Sequence, residues 1–368
     1  MDQILIHNYD EFERYIGNFT RILLVCGNAS FKNCDRLVQV LESRGVSYNR
    51  FASFNPNPTT KAVDAGIRAF IESSYDAIMA IGGGSAIDTA KCIKLYGDRY
   101  QESWEERLNK LSHPVDVPLI VMPTTAGSGS EATRFAVIYH KGVKQSITAD
   151  AILPDTVLYD SSVLHKLSDY QKKATLFDAL CHCIESFWSI NSTVESQRYA
   201  KDGIKLILGN AEDYWAGASN DHIYTSLQKA AYLAGKAINI TQTTAGHAMS
   251  YKLTSLYGCS HGHAVALCLK ELWPWMTENI DLCRDSRGQK YLEDTFNELS
   301  LIVSASTDEN GADRFNRLFD ESGLDVPAVK DGDIDVLVKS VNTTRLKNNP
   351  VELSSTDIRT LYQRILKR

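Results

Sequence analysis

The chain has 368 residues, of which 43% are hydrophobic and 23% charged, and its formal net charge at pH 7 is −6. This balance is typical of a soluble globular protein long enough for two domains, and the acidic charge argues against nucleic acid as a partner. No apolar run reaches the length of a membrane span, so we expect no membrane partner. The start, MDQILIHNYDEFERY, lacks the pattern of a signal peptide, and the eight cysteines include no CxxC pair. Both features predict a cytoplasmic protein with reduced thiols.

Short apolar runs alternate with amphipathic stretches over the first 160 residues. After a short helix or irregular start at residues 1–20, we predict strands at RILLVCG, VSYNRFASF, YDAIMAIGGG, PLIVM and TVLYD, the last of which closes the sheet. Helices are predicted over residues 31–45 and 61–74, and a hairpin over residues 135–140 and 145–150. This alternation indicates a parallel sheet with helices on both faces.

Beyond residue 162 the pattern is helical to the end of the chain. We therefore predict an α/β domain over residues 1–162 and an all-helical domain over residues 163–368. No internal repeat, low-complexity tract or long linker interrupts either part.

Two small-residue loops follow predicted strands in the first domain. GGGSAIDTAK, residues 82–91, leaves a strand and opens a helix, so its glycines and free N–H groups favour a bound phosphate, although a tight turn would also need glycine. PTTAGSGSEAT begins at Pro123 and offers hydroxyls and flexible backbone for a ribose and a nicotinamide. The plainer alternative for this second segment is an ordinary Ser/Gly loop.

Candidate metal ligands lie in the helical part. The apolar stretch ATLFDALCHCIESFWS carries Asp178 and His182 four residues apart, hence on one helix face. Burial of both groups is unfavourable unless a divalent cation compensates them; alternatively, the aspartate is hydrogen-bonded to a core histidine. His247 and His261 lie downstream. One carboxylate and three imidazoles would leave a coordination position open for a substrate oxygen.

These motifs together resemble the iron-containing (group III) alcohol dehydrogenases over nearly the whole chain. The resemblance implies a dehydroquinate synthase-like fold, with an α/β dinucleotide-binding N-terminal domain and an all-α C-terminal domain. It implies that Asp178, His182, His247 and His261 bind Fe(II), with Zn(II) as the alternative. NADPH or NADH would be lined by ten residues: Gly27, Asn28, Gly83, Gly84, Ser85, Asp88, Thr124, Thr125, Ser128 and Lys144.

The chain departs from the family pattern at two positions. Tyr251 stands where many members have a second histidine, so its hydroxyl becomes a candidate proton relay. His263 is the other relay candidate, unless it packs or caps near its helix start. Gly27-Asn28 stands where the family often has an aspartate for the adenosine ribose, and the missing carboxylate favours acceptance of NADPH.

A narrower resemblance concerns the substrate. FNPNP, IESFWSINST and TTAGHAMSYKLTSLYGCSHGHAVAL resemble the phosphonoacetaldehyde reductase (2-hydroxyethylphosphonate dehydrogenase) branch, which implies a role in phosphonate metabolism. Arg134 and Lys252 are the candidate partners of a phosphonate, and each is alternatively a surface charge or part of an ion pair.

Other functions remain open at this point. One is a general alcohol dehydrogenase acting on another small or sugar-derived alcohol. Another, of a different class, is a non-catalytic protein that binds metal or a dinucleotide. Dehydroquinate synthases and maleylacetate reductases are disfavoured by the full ligand pattern. For all the enzyme readings we expect a small aldehyde or alcohol as the substrate, and a homodimer or higher homo-oligomer.

Overall fold

The computed structural model of the protein describes residues 3–109, 114–218, 220–304, 308–341 and 346–366. The chain divides into two compact units, Met1–Thr125 with Gly129–Lys166, and Ala126–Ser128 with Leu167–Arg368. The short segment Ala126–Ser128 therefore belongs to the second unit, although its sequence neighbours belong to the first.

Among the described residues of the first unit there are eight strands: β1 (Ile4–Ile6), β2 (Arg21–Cys26), β3 (Ser47–Phe51), β4 (Ala77–Gly82), β5 (Leu119–Pro123), β6 (Phe135–His140), β7 (Val143–Thr148) and β8 (Thr156–Leu158). Six of them form one parallel sheet in the order β1-β8-β5-β4-β2-β3, while β6 and β7 form an antiparallel hairpin. The predicted parallel sheet is confirmed.

The prediction was wrong at one edge of this sheet. Residues Ile4–Ile6 form a strand that pairs in parallel with Thr156–Leu158, so TVLYD lies inside the sheet and does not close it. A strand of three residues is too short to show a periodic pattern, and Ile4 is 49% exposed.

Helices cover both faces of the sheet: α1 (Tyr9–Ile16), α2 (Asn28–Phe31), α3 (Asp35–Ser43), α4 (Thr60–Ile71), α5 (Gly84–Tyr96) and α6 (Trp104–Asn109). The helix predicted over residues 31–45 is α3, which begins later, at Asp35, while the short helix α2 ends at Phe31, where the prediction began. Alternate residues of β4 enter different cores, since Ile78 packs with Val63 and Ile87 whereas Met79 packs with Phe12 and Leu37. A strand buried on both faces is expected to be continuously apolar, as β4 is.

The second unit is built from helices: α7 (Asp169–Trp188), α8 (Val194–Leu208), α9 (Ala211–Trp215), α10 (Asp221–Thr241), α11 (Ala245–Tyr257), α12 (His261–Glu278), α13 (Gln289–Ser304), α14 (Gly311–Ser322), α15 (Asp333–Ser340) and α16 (Ser355–Leu366). Helix α7 packs against α8, α10 and α12, so it lies at the centre of the unit. Within the described residues, no helix combines the length and apolarity that a membrane span requires.

Candidate metal centre and cofactor loops

Helix α7 presents the first two predicted ligands on one buried face. Ser168 caps the helix by accepting a hydrogen bond from the backbone N–H of Gln171 at 3.3 Å. Asp178 and His182 are 6% and 5% exposed. Burial lowers the pKa of His182 to about 4, because the charged ring is penalised in a dry environment. This imidazole is therefore neutral at pH 7, the form that binds a metal.

Gly262 allows helix α12 to approach α7 closely enough to bring in His261. A Cβ atom on Gly262 would lie 2.0 Å from the carbonyl oxygen of Ala174 and 2.6 Å from Cβ of Asp178. Any larger residue would therefore separate the two helices. Because His261 is the first residue of α12, this contact places its ring beside Asp178.

Three of the four predicted ligands come together in the described part of the chain. Ligand atoms of Asp178, His247 and His261 all lie within 4.8 Å of one another. Oδ1 of Asp178 and Nε2 of His247 are 3.7 Å apart. Both atoms are buried and have no hydrogen-bond partner among the described residues. Burying unsatisfied polar atoms costs free energy, and a divalent cation between them would satisfy both, so this donor set fits a metal.

His182 lies beside this triad but is not part of it. Its ring stacks on that of His247, with centroids 4.4 Å apart and an interplanar angle of 17°. Nδ1 of His182 is also buried without a hydrogen-bond partner among the described residues. The role of His182 as the fourth ligand stays a prediction.

Glu185 supports the site and escaped the sequence analysis. This fully buried residue accepts hydrogen bonds from the Thr244 hydroxyl at 2.6 Å and the Thr244 backbone N–H at 3.1 Å, and it is hydrogen-bonded to Nδ1 of His247. A carboxylate on the second nitrogen of a metal-binding histidine fixes the ring and its tautomer. The available signal was its spacing, since Glu185 lies seven residues after Asp178 on the same helix face.

Within this cluster, the charges of neighbouring groups shift the pKa values in the direction opposite to the effect of burial. Burial alone would lower the pKa of His247, but the carboxylates of Glu185 and Asp178 outweigh it and raise that pKa to about 9. Burial would raise the pKa of Asp178, yet the neighbouring histidines hold it below its usual value. The two carboxylates therefore favour a positive charge within this cluster, which a proton on His247 or a bound metal ion would supply.

The two relay candidates have different surroundings. Tyr251 is half-buried, and its ring stacks on His261 with centroids 5.7 Å apart. His263 is buried with both ring nitrogens engaged, Nε2 with the carbonyl oxygen of Asp325 at 2.8 Å and Nδ1 with the hydroxyl of Tyr170 at 3.2 Å. This arrangement favours the packing role for His263 and leaves Tyr251 as the candidate beside the predicted metal ligands.

The predicted phosphate loop has the expected strand–turn–helix form. Gly82 has φ +152, where a side chain is strained, and a Cβ there would meet Cβ of Ala86 at 2.7 Å. Gly83 precedes the first turn of α5, which contains Gly84 and Ser85. The backbone N–H of Thr124 donates to the carbonyl of Gly82 at 3.0 Å, and Thr125 packs against Gly83. The carboxyl ends of β4 and β5 therefore join into one surface.

The remaining predicted cofactor residues are distributed differently. Gly27 and Asn28 follow β2, which neighbours β4. Asp88 binds protein groups, because its two oxygens accept from the Ser130 hydroxyl at 2.7 Å and the Val137 N–H at 3.0 Å. Lys144 is half-buried on β7 and favours the charged form of Asp88. Ser128 belongs to the helical unit. Their contacts with a cofactor stay predictions.

Lys91 organises the second loop and was also missed. Its buried Nζ donates to the carbonyl oxygens of Ser130, Thr133 and Phe135, each at 2.7 Å. Desolvation lowers its pKa to about 8, although Asp88 and Glu131 oppose the shift. Its place at the end of GGGSAIDTAK was the only signal, since the partners lie some forty residues away in sequence, at separations of 39 to 44.

The two predicted substrate cations lie in different settings. Arg134 donates to Asp150 at 2.8 Å in a pair whose side chains are 41% and 86% exposed. Lys252 is half-buried on α11, directly after Tyr251, and forms no ion pair with a described residue. Arg134 thus forms an ion pair in this structure, although an exposed pair of this kind is weak, and its contact with a substrate stays a prediction.

A buried carboxylate–histidine cluster that fits a metal, in the helical unit, and a glycine turn of the form that holds a phosphate, in the α/β unit, point to a metal-dependent dehydrogenase that uses a dinucleotide. Comparison with known proteins gives the same class. Residues 4–161 match the family described as iron-containing alcohol dehydrogenase, and residues 172–366 match the C-terminal part of that family. The chain belongs to the iron-containing alcohol dehydrogenase family. It is an oxidoreductase whose cofactors are iron and a nicotinamide dinucleotide, as the resemblance predicted.

Individual relatives extend this result. The chain is 32% identical to Alcohol dehydrogenase 4 of Saccharomyces cerevisiae, over 82% of this chain and 78% of that protein. It is 30% identical to phosphonoacetaldehyde reductase of Streptomyces viridochromogenes, over 80% of this chain and 78% of that protein. Among solved structures, an iron-containing alcohol dehydrogenase from Thermotoga maritima covers 100% of this chain and 99% of its own, with 26% identity and a TM-score of 0.86.

Proposed function

We propose that the chain reduces phosphonoacetaldehyde to 2-hydroxyethylphosphonate with NADPH or NADH. The observation that carries the proposal is the 30% identity to a phosphonoacetaldehyde reductase over four-fifths of the chain. A general alcohol dehydrogenase acting on an uncharged aldehyde is the second candidate, because the identity to the yeast Alcohol dehydrogenase 4 is similar. We also propose that the chain forms a homodimer or higher homo-oligomer, which sedimentation would test separately.

The residues of the helical unit have distinct tasks in this reaction. Asp178, His247 and His261 would hold the metal, with His182 as the predicted fourth ligand, and Glu185 keeps His247 oriented. When bound, the metal polarises the carbonyl and the reduced nicotinamide supplies hydride. Tyr251, stacked on His261, would donate the proton that the product oxygen needs.

Arg134 is the proposed partner of the phosphonate. Its pair with Asp150, whose side chains are 41% and 86% exposed, contributes little stability, so replacing that carboxylate by a dianion would cost little. A guanidinium grips such a group through two parallel N–H bonds. Lys252 is the second candidate.

Kinetics with two aldehydes tests the proposal. Wild type should turn over phosphonoacetaldehyde more efficiently than propanal. Arg134→Ala should raise KM for phosphonoacetaldehyde about thirtyfold, the loss expected for one charge-assisted contact, and leave KM for propanal nearly unchanged. Asp150→Asn is the matched control, since it removes the ion pair but keeps the guanidinium. Equal losses on both aldehydes, or a wild-type preference for propanal, would favour the general alcohol dehydrogenase instead.

A further inference from the structure

A cationic feature lies where β2 and β3 end. Arg50 is the next-to-last residue of β3 and stands opposite Leu24 in the parallel register with β2. Its Nη2 donates to Oδ1 of Asn28 at 2.5 Å, and its guanidinium carbon lies 4.4 Å from the centre of the Phe31 ring. The amide and the aromatic face together hold this exposed arginine at the carboxyl edge of the sheet.

Among the residues that the structure describes, none neutralises the charge of Arg50. No carboxylate of the described residues lies within ion-pair distance of its guanidinium, and the side-chain N–H group of Asn28 donates no bond to a described residue. Next to them, Gly27 leaves room, because a Cβ there would find its nearest atom, Cζ of Phe54, at 3.9 Å. Cationic and amide donors beside an open position without a carboxylate suit a phosphate monoester.

The order of the strands indicates which phosphate group of a ligand would lie beside Arg50. Strand β2 neighbours β4, whose glycine turn has the form that holds a pyrophosphate at a helix start. In a dinucleotide bound across the carboxyl ends of parallel strands, the adenosine ribose lies at the next strand end, where an acidic residue recognises the 2′-hydroxyl and an arginine recognises a 2′-phosphate. Here that strand end is Gly27-Asn28, with Arg50 beside it.

We propose that Arg50, assisted by the amide of Asn28, binds the 2′-phosphate of NADP(H) and makes it the preferred cofactor. The inference rests on the proposed function only through the nicotinamide dinucleotide, and it holds whichever aldehyde is reduced. Arg50 is a specificity residue in this account and takes no part in hydride transfer.

Calorimetric titration with 2′,5′-ADP and 5′-AMP tests the site without turnover. Wild type should bind 2′,5′-ADP at least about tenfold more tightly than 5′-AMP, the effect expected of one charge-assisted contact. Arg50→Gln should bring the two affinities within about twofold of each other and leave that for 5′-AMP unchanged. Arg44→Gln, which removes an exposed arginine that pairs with Glu13 and lies three residues before β3, should keep the wild-type preference. Gly27→Asp should also weaken the binding of 2′,5′-ADP, because the new carboxylate repels the 2′-phosphate.

Several results would overturn the inference. A wild type without preference, or an Arg50→Gln variant that keeps the preference, removes Arg50 from phosphate recognition. If Arg50→Gln lowers the affinities for 2′,5′-ADP and 5′-AMP equally, Arg50 has a structural role and does not recognise the 2′-phosphate. Failure of the proposed function is distinguishable, because it shows as absent turnover of phosphonoacetaldehyde while selective binding of 2′,5′-ADP persists.

Discussion

Glu185 and His247 are hydrogen-bonded inside the helical unit, and this bond directs the other ring nitrogen of His247 toward Asp178. Glu185 is itself fixed by the hydroxyl and the backbone N–H of Thr244. Gly246 makes the approach feasible, since a Cβ there would lie 3.1 Å from Oε1 of Glu185 and 2.2 Å from Leu269. Glu185 is therefore a positioning residue for a predicted metal ligand.

Substitution of Glu185 by glutamine should weaken metal binding without removing a ligand. Glu185→Gln keeps an acceptor for Thr244 but loses the charge that orients and polarises His247, so metal affinity should fall about 10- to 100-fold. Competition against a chelator, read by elemental analysis, measures it. Glu195→Gln is the control, because that exposed carboxylate accepts a bond only from Tyr199 among the described residues. Equal affinities in the two variants would remove Glu185 from the metal site.

Gly262→Ala should disturb both stability and metal binding, because the added methyl group meets the backbone of α7 at 2.0 Å. Overpacking of this kind typically costs about 1–3 kcal/mol. Urea unfolding should show the lower stability, and elemental analysis should show reduced metal content as His261 moves away from Asp178. Gly27→Ala is the control, since its Cβ has no neighbour closer than 3.9 Å outside the adjacent residues. Unchanged metal content in Gly262→Ala would mean that the helix crossing does not set the site.

Glu131 should make stability depend on pH. Burial raises its pKa from 4.5 to about 7, although Lys91 opposes the shift. The folded state then binds more protons than the unfolded state between these values, so the contribution of Glu131 to stability is present below pH 4.5 and is lost as pH rises through 7. Over that range the loss is at most about 3 kcal/mol.

The comparison of Glu131→Gln with wild type isolates this effect. The variant has no carboxyl to ionise, so its unfolding free energy relative to wild type should increase between pH 5 and about pH 8. Glu42→Gln, at an exposed position of α3, should show no such trend. A pH-independent difference for Glu131→Gln would show that this carboxyl ionises at its ordinary pKa in the folded protein.

Local sequence patterns predict much of the fold and some of the residues of the candidate site. The continuous apolar run of β4 and the glycine turn after it are visible in sequence because both depend on neighbouring residues. Asp178 and His182 are likewise visible as an i, i+4 pair. The meeting of Asp178 with His247 and His261 was inferred from chemistry and family resemblance, and the helix geometry brings those three together.

The features that could not be predicted from the sequence depend on contacts between segments that are distant along the chain. Glu185 looks like any helical glutamate until Thr244 and His247 are folded onto it. Lys91 looks like a surface charge, although the loop after β5 encloses its ammonium group in carbonyl oxygens. Strand β1 needs the pairing with β8 to be a strand at all.

The metal content of ligand variants tests the central claim most directly. Elemental analysis of purified wild type should find close to one iron or zinc per chain, and Asp178→Ala and His261→Ala should each retain less than about a tenth of it, because each loses one ligand of the site. His222→Ala, which removes an exposed histidine of the same unit, should keep the wild-type content. Circular dichroism establishes whether the variants are folded. If one of the ligand variants does not fold, Asp178→Asn is measured in its place. Full metal occupancy in both ligand variants would contradict the account.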